Sequence, residues 1–408
     1  MNKKKLSILF ALMDTFPPFR VDVSVLFAQK LASMGHQMDW VLQSEKECAK
    51  SYVAAYGGGT AFIGKTHTGV LFRHRLIKHI RGFVHDLTIV RLLLTREYDF
   101  IQVKDKFITA VIALIAAKLT GTPFFYWLSY PLAEESLQRY IDGTARYPIS
   151  YLIRGKAFRF LLYKIICPMA DHIFVQSEQM RSDMMMYNIP KKKMTPVPMG
   201  INIEDFPPKD IIEKALENKN EKKIILYLGT LIRVRRLDFL IRVLNMVRWA
   251  FPEAFLVFVG SGDDIEDELL LHREAKRLSL DNAIEITGRL PFKAALDLVK
   301  NADVCLSPFY PTPILKSTSP TKLIEYMAMG KAVVANDHPE QKKVIEESGA
   351  GLCVEWSEEK FSQAIIKLIE NPIACIEMGI KGRKYVEQHR SYDIIARNLE
   401  RTYYDILS

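Results

Sequence analysis

Lys322 and Glu325 stand three residues apart inside the segment Ser317–Asn336, STSPTKLIEYMAMGKAVVAN. The segment reads as a polar, proline-bearing turn, a helix beginning near Thr321, a stop at Gly330 and an apolar strand over Ala332–Ala335, because Ser and Thr favour helix starts and Gly favours the position just past a helix end. A turn that runs into a helix N-terminus directs several backbone N–H groups and the positive end of the helix dipole into the loop, which makes an anion site suited to phosphate. Lys322 sits beside that position. Glu325, one turn further in, offers a carboxylate to a ribose diol. Phosphate and ribose together point to a nucleotide. Val333 and Val334 read as strand core.

The elements that must hold this segment repeat along the chain. At 408 residues the protein exceeds the usual size of one core, so two domains are expected. In the first half, strands over Leu6–Leu12, Met38–Leu42, Tyr98–Val103, Pro123–Leu128 and His172–Gln176 alternate with helical patterns over Val25–Met34, Ile108–Leu119 and Glu178–Tyr187, the last with Ser177 as its cap. In the second half, strands over Ile224–Leu228, Phe255–Val259, Ala283–Thr287 and Val304–Ser307 alternate with helices over Leu237–Trp249, Ile265–Leu278 and Phe292–Lys300. Apolar strands in strand–helix alternation predict two Rossmann-like, doubly wound parallel sheets in an α/β protein, facing one another across a cleft at their carboxyl edges. The expected division is residues 1–195, a Pro- and Lys-rich linker over 196–220, a second domain over 221–390, and a final helix over 391–408 packing back on the first domain.

Composition narrows the function classes. Cys48, Cys167, Cys305, Cys353 and Cys375 are scattered and odd in number, which argues against a disulfide framework or a zinc site and fits the cytoplasm. The opening MNKKKLSILFALMD reads as a first strand rather than a signal peptide, and the apolar run over Phe107–Leu128 is broken by Lys118, Gly121 and Pro123, so no integral membrane segment is expected. The formal net charge of +9 is uneven: residues 1–200 hold 27 Lys+Arg against 15 Asp+Glu, leaving 29 against 32 in the remainder. The basic residues of the first half lie among apolar ones, in LFRHRLIKHIRGFVHDL and YLIRGKAFRFLLYKII. Such segments suit an anionic membrane surface better than nucleic acid. Two solvated helix faces are the plainer alternative.

Five pieces of the second half, LYLGTLIRVRRLDFLI, VFVGSG, ITGRLPFKAALDLVKNADVCLSP, SPTKLIEYMAMGKAVVA and EESGAGLCV, occur in an order and spacing that resemble the C-terminal domain of retaining, nucleotide-sugar-dependent glycosyltransferases of family four, which have the GT-B fold. The first half resembles the same family through GHQMDWV, YDFIQVKDKF and ADHIFVQSEQMRSDM before a PMGIN turn. The resemblance implies that Arg235 holds the donor diphosphate where the family usually has Lys, with Arg233 and Arg236 flanking it, and that Glu325 binds the ribose. It further implies that Gly229, Gly260, the Gly288–Arg289–Leu290 loop and the run Ser317, Thr318, Ser319, Pro320 and Thr321 line the donor. Arg235, Lys322 and Glu325 are the residues expected to carry catalysis, the two cations by stabilising charge that grows on the leaving diphosphate.

This chain also departs from that family. The first Glu of the family's Glu-x7-Glu pattern falls on Ser317, the Gly-Gly loop after the first strand is replaced by FRVDVS, and a His of the first domain falls on Ser129. Asp22, Asp105, Lys106, Ser129 and Tyr130 are the candidates for the sugar or acceptor side. No D-x-D pair or His cluster stands where a metal would bridge a diphosphate, so metal-independent transfer without a cofactor is expected. The implied function is transfer of a sugar from a nucleoside-diphosphate sugar to a glycan or lipid-linked acceptor of the cell envelope, by a membrane-peripheral enzyme with no nucleic-acid partner. A nucleotide-sugar epimerase of the same fold and a non-catalytic nucleotide-sugar-binding partner are the alternatives.

Overall fold

A computed structural model of the chain describes residues 4–67, 69, 72–206 and 222–408. It divides into two units, Met1–Pro198 with Tyr392–Ser408, and Met199–Ser391. Of the expected linker, residues 207–220 lie outside the described residues.

Among the described residues the first unit contains eight strands: β1 (Ser7–Phe16), β2 (Gln37–Ser44), β3 (Tyr52–Tyr56), β4 (Gly59–Gly64), β5 (Phe100–Lys104), β6 (Phe124–Leu128), β7 (His172–Val175) and β8 (Met194–Pro196). Their order is β3-β4-β2-β1-β5-β6-β7-β8. All neighbours pair in parallel except β3 and β4, which form an antiparallel hairpin. The sheet is thus parallel as expected, with that hairpin added at one edge. The hairpin's signal is the two-residue turn Gly57–Gly58, where φ is +51° and +79°, values that glycine adopts without steric cost. β1 also runs beyond Leu12, and the following loop turns helical at Val21–Ser24 (α1), earlier than the periodicity predicts.

The helices that follow are α2 (Phe72–Asp86), α3 (Thr88–Thr95), α4 (Phe107–Thr120), α5 (Leu132–Ile141), α6 (Pro148–Phe160) and α7 (Glu178–Met185). Ser177 caps α7 as expected, accepting from the Met180 N–H at 3.0 Å. Alternate residues of each strand feed two cores. Leu9, Ala11, Ile101 and Val103 pack with α3 and α4. Ile8, Phe10, Phe100 and Phe125 pack on the other face, against Tyr392, Ile395, Leu399 and Tyr403 of the C-terminal helix Tyr392–Leu407. The Tyr403 hydroxyl donates to Gln102 Oε1 at 2.8 Å, so its one polar atom is satisfied inside the core.

The second unit is a parallel sheet in the order β11-β10-β9-β12-β13-β14, built from β9 (Lys223–Leu228), β10 (Ala254–Val259), β11 (Ile284–Ile286), β12 (Val304–Ser307), β13 (Val333–Asn336) and β14 (Gly351–Val354). Its helices include α8 (Asp238–Ala250), α9 (Ile265–Arg277), α10 (Phe292–Asn301), α11 (Pro313–Lys316) and α12 (Thr321–Ala328). Val333 and Val334 are fully buried in β13. Strand order reverses between β1 and β5 in one unit and between β9 and β12 in the other. In open α/β sheets ligands bind at the carboxyl ends of such switch points.

Tyr403→Ala is expected to cost about 3–5 kcal/mol, the range for emptying a buried aromatic site, and Tyr403→Phe about 1 kcal/mol, for a lost hydrogen bond. Urea denaturation checks both.

Candidate functional site

At the switch point of the second unit, β9 ends at Leu228 and the chain passes through Gly229, with φ +142°, into the short 3-10 turn Arg233–Arg235. Gly260 follows β10 with φ +149°, and a side chain there would come within 2.0 Å of the Gly229 carbonyl oxygen. Gly260 also pairs with Gly288 as an isolated antiparallel bridge, so three consecutive strand ends are joined backbone to backbone. Gly288 has φ +69° and open space where a side chain would stand. Arg289 beside it is exposed, while Leu290 packs against the core.

The opposite wall is α12. Its N-cap is Pro320, which makes no side-chain capping bond, contrary to the Ser/Thr cap expected from sequence. Lys322, in the first turn, is buried, and Glu325 is partly accessible. The Lys322 ammonium hydrogen-bonds to the Tyr227 hydroxyl at 3.2 Å. It lies 4.6 Å from the Tyr227 ring centroid and 4.7 Å from that of Phe309, so two aromatic faces hold it. Arg235 reaches the same place: its Nε donates to Thr230 Oγ1 at 2.9 Å, and its guanidinium carbon is 5.9 Å from the Phe309 ring centroid. The Asn336 side chain fixes Phe309 by accepting from its N–H at 2.7 Å and donating to its carbonyl at 2.9 Å. A pocket lined by Phe309, Tyr310, Pro311, Lys316, Asn336, Asp337 and His338 adjoins this point.

Burial, and after it the Arg235 guanidinium, hold the Lys322 pKa well below the usual lysine range, with Glu325 pulling the other way. Burial pushes the Glu325 carboxyl up, against the pull of Lys322. Two cations thus converge beside the start of α12 with one partly accessible carboxylate near them.

Other predicted donor residues are placed differently. Arg233 turns to the acids of α9, with Nε 3.5 Å from Asp267 and Nη2 3.9 Å from Glu266. Arg236 adopts φ +51°, pairs with Asp238 at 3.6 Å and lies over the Tyr310 ring. Ser317 caps the C-terminus of α11 and directs its hydroxyl to the Pro313 carbonyl at 3.5 Å. Thr318 Oγ1 donates to the Leu315 carbonyl at 2.7 Å, and Ser319 Oγ accepts from the Met199 N–H at 3.0 Å. Thr321 opens α12 and is partly accessible. Sequence reasoning missed Tyr227 and Phe309. The only trace of them is an aromatic residue near the carboxyl end of an apolar strand, in LYLG and LSPFY.

At the switch point of the first unit a second constellation forms. Asp105, just past β5, has φ +56°, a conformation uncommon outside glycine. It accepts from the Ser129 N–H at 2.8 Å and from the Ser129 hydroxyl. The Lys104 ammonium, almost completely buried, stands 3.2 Å from Asp22, 3.5 Å from Asp14 and 3.5 Å from Asp105. Arg20 approaches Asp22 at 3.4 Å and donates to Ser129 Oγ at 3.3 Å. Its side chain is one-third exposed, the most accessible of the group. Of the predicted sugar-side residues, Asp22, Asp105 and Ser129 therefore meet. Lys106 instead pairs with Asp86 at 2.6 Å, and Tyr130 is half-buried with its carbonyl accepting from the Leu132 N–H. Asp14, Arg20 and Lys104 were missed; of these Lys104 left a signal, the KDK triplet at the end of a buried strand.

The group holds three carboxylates against two cations. Burial raises the Asp14 carboxyl pKa, the cations Lys104 and Arg20 oppose that, and Asp22 and Asp105 add to it. Burial pulls the Lys104 pKa down, but Asp22 and Asp105 outweigh it and leave it raised.

Two doubly wound sheets, each with its polar groups at a switch point, are the architecture of the GT-B class. Solved structures agree. The HepE protein of Anabaena, solved in complex with UDP and glucose, superposes with a TM-score of 0.67 at 15% identity over 97% of this chain and 99% of its own. A sucrose-phosphate synthase of Thermosynechococcus elongatus gives 0.73 at 16% identity over 98% and 99%. Residues 208–385 match the family of glycosyl transferases group 1, and residues 23–205 match glycosyltransferase family 4. The chain belongs to this glycosyltransferase family. An uncharacterized glycosyltransferase of Methanocaldococcus jannaschii is 25% identical over 55% of this chain and 56% of its own length. A GDP-mannose-dependent monoacylated alpha-(1-6)-phosphatidylinositol monomannoside mannosyltransferase of Corynebacterium glutamicum is 27% identical over 50% and 54%. The chain thus spans about half the length of the curated relatives it matches.

Nucleoside diphosphate affinity is expected to follow a bell in pH. It rises as Glu325 ionises through its raised pKa, and falls as Lys322 loses its proton at its lowered one. Calorimetry across pH checks this, and Lys322→Met should remove the alkaline limb and weaken binding about 10- to 100-fold, the worth of a charge-assisted hydrogen bond. In the first unit, Lys104→Met leaves buried carboxylates uncompensated and should cost about 3–5 kcal/mol in urea denaturation. Asp14→Asn should cost far less, because it relieves repulsion among like charges.

Proposed function

We propose that the protein transfers a sugar from a nucleoside-diphosphate sugar to an acceptor with retention of the anomeric configuration. The observation that carries this reading is the buried Lys322 ammonium, held between Tyr227 and Phe309 beside Arg235 at the uncapped start of α12. A diphosphate oxygen placed there meets two fixed cations and open N–H groups. As the bond from the anomeric carbon to the diphosphate breaks, charge builds on that oxygen, and groups already in place stabilise it without reorganising. Arg suits the role through its fork of N–H donors. Glu325 holds the ribose, the loop at Gly288 reads the base through its backbone, and the pocket beside Phe309 takes the sugar. A leaving phosphate oxygen receives the acceptor's proton, so no side chain is required as base. The positive charge comes from Arg235 and Lys322, and transfer is proposed to need no metal or cofactor.

The acceptor is proposed to be lipid-linked, bound on the side of the first unit where Arg20, Asp22, Asp105 and Ser129 meet. Support comes from the names of relatives, which include the mannosyltransferase above and a phosphatidyl-myo-inositol mannosyltransferase of Mycolicibacterium smegmatis. Among the described residues no helix is long and apolar enough to cross a membrane. The enzyme is proposed to work in the cytoplasm, peripherally on the membrane's inner face.

Purified protein incubated with UDP-, GDP- and ADP-sugars, with and without lipid-linked acceptors and with a chelator present, tests the proposal. Expected are donor turnover that survives the chelator and a loss of about 10²- to 10³-fold in kcat for Arg235→Ala, the scale of removing one transition-state donor, with a comparable loss in kcat/KM for Glu325→Ala. An altered sugar still attached to its nucleotide, or binding with no turnover on any acceptor, would sink it.

A further inference from the structure

Helix α2 sits on the first unit the wrong way round for a surface helix. Its inward side is small or polar. Gly82 is packed so closely that a side chain there would meet Gln43 at 2.8 Å. His85 bonds to the Phe62 carbonyl at 3.0 Å, and Asp86 is bound by Lys106 and Thr109. The outward side is apolar: Leu76, Ile77, Ile80, Phe83 and Val84 are exposed, Ile80 to 53% and Val84 to 55%, and Leu87 continues the line. At 100° per residue these positions fall on one continuous stripe, the side that an ordinary amphipathic helix buries.

Helix α6 repeats the arrangement. Ile149, Ile153 and Phe160 lie on one outward line with exposures of 72%, 63% and 59%. Its inward side carries Gly155, where a side chain would meet Leu137 at 2.7 Å. The two helices converge. Lys106, before α4, pairs with Asp86 at the end of α2, and the adjacent Phe107 stacks on Phe158 near the end of α6 at 4.5 Å. Both helices therefore end beside the start of α4, which leaves the carboxyl edge of β5.

Charge selects the partner. Residues 72–87 carry Arg73, Arg75, Lys78 and Arg81 against the single acid Asp86, which is buried. The Arg75 side chain lies outside the described residues. Residues 146–160 carry Arg146, Arg154, Lys156 and Arg159 and no acid. Arg73, Lys78, Arg154 and Lys156 are exposed. We infer that α2 and α6 are a paired membrane-insertion surface, lying in the headgroup region of an anionic bilayer with both apolar stripes sunk into the acyl boundary. Basic flanks with an apolar stripe suit such a layer, which attracts cations at its surface and accepts apolar side chains beneath. The inference deepens the peripheral placement proposed above. It also fits the acceptor reading, because the surface borders the strand ends where Asp105 and Ser129 lie.

Flotation of the full chain with vesicles of phosphatidylcholine, or of phosphatidylcholine with one-third phosphatidylglycerol, tests it. Binding should require the anionic lipid at low salt and fall by about fivefold for each of Arg73→Gln, Lys78→Gln and Lys156→Gln. It should fall at least about tenfold for Val84→Asp or Ile153→Asp, whose apolar contact with the acyl layer is lost. These side chains are exposed, so melting midpoints should hold. A Phe83→Trp probe gives an independent reading, because insertion moves its emission to the blue and exposes it to quenching by brominated acyl chains. The inference is overturned if the Asp variants bind as well as wild type, if the Trp stays unquenched, or if sedimentation shows the stripes covered by a second copy that Val84→Asp releases. Nucleoside diphosphate binding should be unchanged in every variant, so loss of membrane binding and failure of the transfer reading are separable.

Discussion

A buried ammonium without an adjacent carboxylate is costly, and the second unit is arranged around one. Lys322 has two aromatic faces and one phenolic hydroxyl for company, its near neighbour Arg235 carries the same sign, and Glu325 lies one turn away. Such a group is tolerated where the surroundings are rigid, and in the function proposed above an incoming anion completes them. The glycine contacts that join β9, β10 and β11 end to end, and the Asn336 clamp on Phe309, are what that rigidity consists of.

The first unit solves the opposite problem. There Lys104 is enclosed by Asp14, Asp22 and Asp105, and the surplus is negative. Replacing a buried ionic group by apolar side chains is often neutral or stabilising, so its presence at a switch point speaks for a role in handling polar ligands. One unit brings two basic side chains, Lys322 and Arg235, together. The other holds a cluster with an excess of carboxylates whose most accessible member is Arg20.

Much of this was legible in the chain. Alternating apolar strands and helices gave the two sheets, and the STSPTKLIE run located Lys322 and Glu325 at a helix start. What escaped was of two kinds. The Gly57–Gly58 hairpin was a readable signal, passed over because the strands beside it are short and half-exposed. Arg20, Tyr227 and Phe309 were harder to read, because their roles arise where segments distant in sequence end side by side. The serines and threonine of the 317–319 turn are a further case. The family resemblance assigns them to the donor lining; their hydroxyls bond within the protein, those of Ser317 and Thr318 to the preceding helix and that of Ser319 to the Met199 N–H. Inside-out patterning in α2 was visible only once Gly82 and His85 were seen against the sheet.

The last helix completes the core of the first unit, although the preceding 193 residues, Met199–Ser391, form the second. The second unit is continuous in sequence and has all its strands once Ser391 has been made. On a ribosome, therefore, the unit that begins first is finished last. Part of one face of its sheet, with Phe100 and Phe125, whose rings lie against Tyr403, lacks that cover until the last helix has left the exit tunnel. The time between the two events is an interval in which the sheet is covered on that side only by the N-terminal segment around Leu26, Phe27 and Leu31.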